Sequence, residues 1–180
     1  MGITRQQALD CFASDDLIGI GMEADAIRRD LHPEGVVTYT LGVTDPALEA
    51  KSTATMTIGQ GESVEQRIEQ FEKLRVEQQE TGAFHAFRLI TSSALAPDDP
   101  TAVEYLKTLA ISRLYLDNIA NIEASFDTQG LKVLQMTLRF GANDAGVINE
   151  TTEEDIRRVI RGAGFQPIQR DASYRTMFLN

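Results

Sequence analysis

The sequence predicts an α/β protein with a mainly parallel sheet. Three observations carry this: short apolar runs alternate with amphipathic helices, the runs are rich in β-branched residues, and helix caps recur ahead of the helical stretches. Thr4 to Gln7 forms a capping box, and Leu17, Ile20, Ala24, Ile27 and Leu31 recur at helical spacing until His32-Pro33-Glu34-Gly35 stops the helix. Val36 to Leu41 reads as a strand. Gly42 to Ser52 shows no periodicity, and Asp45-Pro46 favours a turn, so residues 43–53 are read as a junction between residues 1–42 and 54–180 of one domain.

Ala54 to Ile58 is the next strand, ending at Gly59-Gln60-Gly61. Ser63 and Gln66 cap a helix with Val64, Ile68, Phe71 and Leu74 on one face. Ala83 to Ile90 follows as a strand, Pro97 to Pro100 as a loop, and Thr101 with Glu104 opens a helix through Leu114. Ile122 to Phe126 is read as a strand, Gly130 to Leu134 as a short helix, and Met136 to Phe140 as a further strand ending at Gly141. Thr151 and Glu154 cap the last helix, which Gly164 ends.

Composition narrows the function. A formal charge of -10 opposes a phosphate-binding surface, so no nucleic-acid partner is expected. The apolar stretches fall short of the roughly 20 residues that cross a bilayer, and Met1 to Gln7 lacks a basic region followed by an apolar run. A cytoplasmic protein without a membrane partner is the expectation. The single cysteine, Cys11, excludes an intrachain disulfide and an all-cysteine cluster from one chain, and with only His32 and His85 besides, no metal site is expected.

Two blocks resemble one family. Asp15 to Arg29 with His32-Pro33 and Val37-Thr38-Tyr39 is similar to the N-terminal helix and first strand of the dehypoxanthine futalosine cyclases, radical-SAM enzymes of menaquinone biosynthesis related to aminofutalosine synthase and FO synthase. Thr55 to Gly59, Leu74 to Phe84, Leu109 to Asn118, Leu138 to Asp144 and Gly164 to Asp171 resemble the second half of the same barrel. The resemblance implies a partial (β/α) TIM-type barrel of about five mainly parallel strands with flanking helices. In the family, the strand matching Val36 to Leu41 leads to a Cys-x-x-x-Cys-x-x-Cys loop that binds a [4Fe-4S] cluster. Here Gly42 to Pro46 runs on to the late strands instead. No iron-sulfur cluster is therefore expected, and a catalytically silent homologue, retained as a binding or interaction protein, is the leading reading. The alternatives are the late-barrel subunit of a split enzyme whose partner carries the missing half, and a carrier of a nucleoside or S-adenosylmethionine-like ligand.

Ligands bind at the C-terminal strand ends of β/α barrels. The residues expected there are Ile58 and Gly59, which resemble the family strand near the adenine of S-adenosylmethionine, and a polar group of Arg88, Ser125, Asn143 and Asp144. No catalytic constellation is assembled from the sequence. The open edges of an incomplete barrel imply a homodimer, against a monomer whose N-terminal helices, Thr4 to Leu31, fold across the open side.

Overall fold

A computed structural model of the chain describes residues 2–42, 46–92, 101–126, 129–149 and 151–177. The Pro97 to Pro100 loop lies outside the described residues, as does Asp45 of the expected turn. Two helices, α1 (Arg5–Ala13) and α2 (Leu17–Leu31), precede β1 (Val36–Thr40) and α3 (Pro46–Ser52). Then come β2 (Thr53–Ile58), α4 (Val64–Thr81), β3 (Ala86–Thr91), α5 (Ala102–Tyr115), β4 (Asn121–Ala124), α6 (Gly130–Thr137), β5 (Asp144–Val147), α7 (Glu153–Gly162) and β6 (Gln166–Gln169). The capping boxes at Thr4 and Ser63 are both formed, and Gly82 ends α4 in the left-handed conformation that glycine adopts without strain.

The described strands form one sheet in the order β2-β3-β4-β5-β1-β6, and every neighbouring pair is parallel. The expected architecture is thus present, with six described strands rather than about five. Neither β5 nor β6 lies on a run read as a strand; β6 is held by Gln166 N donating to Gly35 O and Arg170 N to Tyr39 O. β2 and β6 stand at the edges.

Alternation along the strands separates two faces. Ala54, Met56, Ile58, Phe87, Leu89, Ile122, Ala124, Ala145, Val37 and Tyr39 belong to one apolar core shared with the helices. α5 is the centre of this layer; it lies against α2 and is buried from Thr108 to Tyr115. The opposite face carries Thr53, Thr55, Arg88, Glu123, Asp144 and Thr38, a polar set where a parallel sheet with helices on both faces would be apolar.

Three readings need correction. Met136 to Phe140 is not a strand: α6 runs to Thr137 and a turn follows, with Arg139 N donating to Met136 O and Phe140 N to Thr137 O. Leu134 and Leu138 are four apart and both buried, so the short apolar run has helical as well as strand periodicity. The strand begins only at Asp144. Within residues 43–53 the described part is helix α3 and the first residue of β2. At the last helix the cap falls one residue later, where Thr152 accepts from Asp155 N.

The N-terminal helices do not cross the open side of the sheet. They pack on the helical layer, α1 against α4 and α5, with Ile3 N donating to Leu114 O and Lys107 Nζ to Phe12 O and Ser14 O. The segment that reaches over the polar face is the C-terminal one. There Arg170 bridges Thr176 and Met177 N donates to Gln169 O.

Candidate ligand site

The polar face is a register effect. Thr55 lies beside Arg88, Arg88 beside Glu123, Glu123 beside Asp144, and Asp144 beside Thr38, so one row of side chains crosses five strands. Two carboxylates side by side on adjacent strands repel unless a cation divides them. Arg170, fully buried, supplies it: Nε and Nη2 donate to Asp144 Oδ2 and Oδ1 at 2.5 and 2.9 Å, and Nη2 lies 3.5 Å from Glu123 Oε2. Arg88 grips Glu123 from the other side, Nε to Oε1 at 2.5 Å and Nη2 to Oε2 at 3.0 Å. Asp144 also accepts from Thr38 Oγ1 and from Gly146 N at 2.8 Å. Tyr174 closes the network, with its hydroxyl donating to Glu123 Oε2 at 2.8 Å and its ring 3.8 Å from the Arg170 guanidinium.

The network balances two acids with two guanidiniums, which is what permits charged groups on a buried row. Burial pushes the Glu123 carboxyl above its ordinary range; Arg88 pulls it back and Asp144 reinforces the rise. Burial, with Glu123 and Asp144 alongside, likewise raises the Tyr174 phenol, which keeps it a donor. For Arg170 burial opposes the charge, but Asp144 outweighs it and fixes the guanidinium in its charged form.

Above this row, at the strand C-terminal ends, opens a cavity of about 230 Å³. Thr55, Arg88, Glu123, Ser125, Gly146 and Asn149 give its polar lining. Arg88 keeps 24% of its side chain exposed while Glu123 keeps 3%, so Arg88 is the charged group a ligand meets first. Gly146 has φ +76°, and a Cβ there would stand 2.7 Å from Glu123 Oε1.

The structure distributes the six sequence-expected residues over different surroundings. Arg88 and Ser125 line the cavity, and Asp144 lies beneath it in the buried network. Asn143 is engaged on the helical side of the sheet: its Oδ1 accepts from Arg113 Nη2 at 2.7 Å and Ile122 N at 2.9 Å, and its Nδ2 donates to Asn121. Its partner Arg113 is fully buried and otherwise donates to the carbonyls of Gly141 and Ala120; burial and nearby Arg28 push its pKa down to about 9, so it remains charged at neutral pH. Ile58 packs into the apolar core. Gly59 starts a turn in which Glu62 accepts from Gly59 N at 3.1 Å and Gln60 N at 2.8 Å, with Arg67 Nε at 2.8 Å.

That turn gives a pH-dependent expectation. Burial works against the Glu62 charge, but the Gln60 and Gly59 amides and Arg67 outweigh it, so the carboxyl sits below its ordinary range. A depressed folded pKa means stability present above the unfolded value and lost as pH falls through the folded one. Glu62→Gln is therefore expected to cost about 1–2 kcal/mol at pH 7 in urea unfolding. The cost should shrink steadily below about pH 4.5. A constant difference across that range refutes the assignment.

Glu123, Arg170 and Tyr174 were not anticipated. A signal existed for one of them: Glu123 alternates with core-facing Ile122 and Ala124, which sets it on the face shared with Arg88 across the sheet.

A parallel β/α sheet with a polar cavity at the strand C-terminal ends defines the class: a portion of a β/α barrel. The particular family follows from comparison. Residues 88–179 match the model of the CofH/MqnC C-terminal region, and the chain belongs to that family. It is 38% identical over 143 residues to the cyclic dehypoxanthine futalosine synthase of Halalkalibacterium halodurans, covering 68% of this chain and 38% of that protein. It is 35% identical over 149 residues to the 5-amino-6-(D-ribitylamino)uracil--L-tyrosine 4-hydroxyphenyl transferase of Methanothermobacter thermautotrophicus, covering 69% and 41%. The chain thus spans about two fifths of these relatives. Among solved structures HydG, a maturase of the [FeFe]-hydrogenase, superposes with TM-score 0.54 at 12% identity over 82% of this chain and 43% of that one, a likeness of fold alone. The chain is a homologue of the C-terminal region of futalosine-pathway radical-SAM enzymes.

Proposed function

We propose that this chain is a binding protein, catalytically silent by itself, whose strand-end cavity takes a nucleoside or S-adenosylmethionine-like ligand. The observation that carries the reading is the polar cavity floored by the Arg88–Glu123 pair. At about 230 Å³ it is smaller than the roughly 300–1,000 Å³ of sites enclosing drug-sized ligands, so it grips one polar part of a ligand whose remainder stays at the mouth. Ser125 and Asn149 offer hydrogen bonds of either sense, and the Arg88 guanidinium sets a positive charge beside them at the cavity wall.

The residues present do not fit a [4Fe-4S] cluster. Such a cluster on one chain needs several thiolates, and this chain has one cysteine. Cys11 is half-buried on α1 in the helical layer, and burial, Glu23 and Asp10 all raise its thiol pKa, the reverse of what a thiolate ligand requires. Among the described residues no cluster of three His, Cys, Asp or Glu side chains could hold a metal ion. The reading places the chain in a homodimer that covers the edges at β2 and β6.

Calorimetry with adenosine and S-adenosylmethionine tests the proposal. Binding that Arg88→Ala weakens at least tenfold supports it, whereas no heat from either compound at millimolar concentration refutes the carrier role. Formation of 5′-deoxyadenosine and methionine from added S-adenosylmethionine and a chemical reductant, after anaerobic addition of iron and sulfide, refutes catalytic silence. Light scattering that returns the single-chain mass of 19.9 kDa removes the dimer.

A further inference from the structure

We propose that the C-terminal strap, Asp171–Met177, is a displaceable cover beneath the polar row that floors the cavity, latched by the Tyr174 hydroxyl on Glu123. The strap lies under the polar row, on the side of the strand N-terminal ends: Tyr174 OH is 3.4 Å from Thr53 Oγ1, and His85 Nδ1 is 3.2 Å from Ser173 O. Glu123 is therefore shared. Arg88 holds it from the cavity and Tyr174 from the strap, both reaching Oε2. Whatever engages Arg88 from the cavity changes the carboxylate that the strap is fastened to, and a strap that lifts uncovers the same carboxylate from below.

Two features make the strap the weakly held party. Tyr174 has φ +59°, the one positive φ at a non-glycine among the described residues, so its side-chain contacts must offset a strained backbone. The residues that follow, Arg175, Thr176 and Met177, are exposed and bury little apolar surface to hold the segment down. What holds it is polar: the Tyr174 hydroxyl on Glu123 and Thr53, its ring against Arg170 and His85, the Ser173 carbonyl near His85, the local turn around Asp171 with Arg170 Nη1 on its carbonyl, and the bridge of Arg170 with Thr176 beside the bond from Met177 N to Gln169 O. Because these contacts are polar and bury little apolar surface, a lifted arrangement is within reach of local opening, and the phenol–carboxylate bond favours the closed one.

The inference concerns the cavity of the proposed function, but its test reads strap opening rather than ligand binding, so either can fail alone. Hydrogen exchange on the full chain, corrected for intrinsic rates, measures it. In the wild type the Tyr174, Arg175 and Met177 amides, all bonded in the structure, should exchange at least a hundredfold faster than the Leu89 amide of the central sheet. Tyr174→Phe keeps the ring and deletes only the hydroxyl; it should accelerate the strap amides about a further tenfold and change Leu89 less. Wild-type strap amides as protected as Leu89 would overturn the proposal, and this arm needs no variant to fold. Strap exchange unchanged by Tyr174→Phe would overturn it as well.

Discussion

Arg170→Met is expected to cost about 3–5 kcal/mol of stability, the penalty for breaking a buried ion pair by removing one partner. Arg170 has no exposed side-chain surface, and neither does Asp144, to which it binds through two parallel hydrogen bonds. Methionine fills much of the same volume, so packing is retained and the loss isolates the charge. What is left is Asp144 beside Glu123 on the neighbouring strand, two carboxylates with Arg88 alone to answer them. A domain of this kind has only about 5–15 kcal/mol in total, so the variant should unfold at a markedly lower urea concentration. Adding Asp144→Asn removes the stranded charge and should restore part of the loss, because the two sites share one interaction. A single variant within about 1 kcal/mol of wild type, at unchanged denaturant dependence, would show that the network does not hold the sheet together.

Gly146→Ala is expected to cost about 2–5 kcal/mol, from two causes that add. The backbone at φ +76° lies in the left-handed region, where a Cβ costs about 1–2 kcal/mol. That Cβ would also stand 2.7 Å from Glu123 Oε1. A carboxylate at the end of a free side chain would swing away cheaply, but this one is 3% exposed and tied to Arg88 and Tyr174, so it moves only by breaking those bonds. Overpacking of this sort costs about 1–3 kcal/mol. The same displacement would disturb the cavity floor, so the thermal midpoint should fall, and with it the adenosine affinity that the proposed function expects. An alanine variant with wild-type stability would mean that the Glu123 position is far softer than its bonds imply.

The family and the α/β architecture were legible because they rest on local patterns. Alternating apolar runs, capping residues and glycine stops are short-range signals, and the caps at Thr4 and Ser63 formed where the sequence placed them. The strand misread at Met136 to Phe140 shows the limit: over five residues, strand and helical spacing coincide, and only packing of Leu134 and Leu138 into the core chose between them. Arg88 could be nominated as a cavity residue because its neighbours Phe87 and Leu89 fix which face it takes.

The partners of Arg88 were decided elsewhere. Register sets Glu123 beside Asp144, and no local pattern encodes the register between strands separated by a helix and its loops. Arg170 and Tyr174 reach the site from the far end of the chain, 47 and 51 residues beyond Glu123. Asn143 and Asp144 are adjacent in sequence, yet strand alternation turns one toward Arg113 on the helical side and the other into the ionic row. The sequence by itself determined the kind of fold and its elements, since these follow from propensities and periodicities within a few residues. Which charges face one another, and that the C-terminal strap rather than the N-terminal helices covers the polar face, only the tertiary structure decided, because pairing buried charges depends on positions that folding alone brings within hydrogen-bond reach.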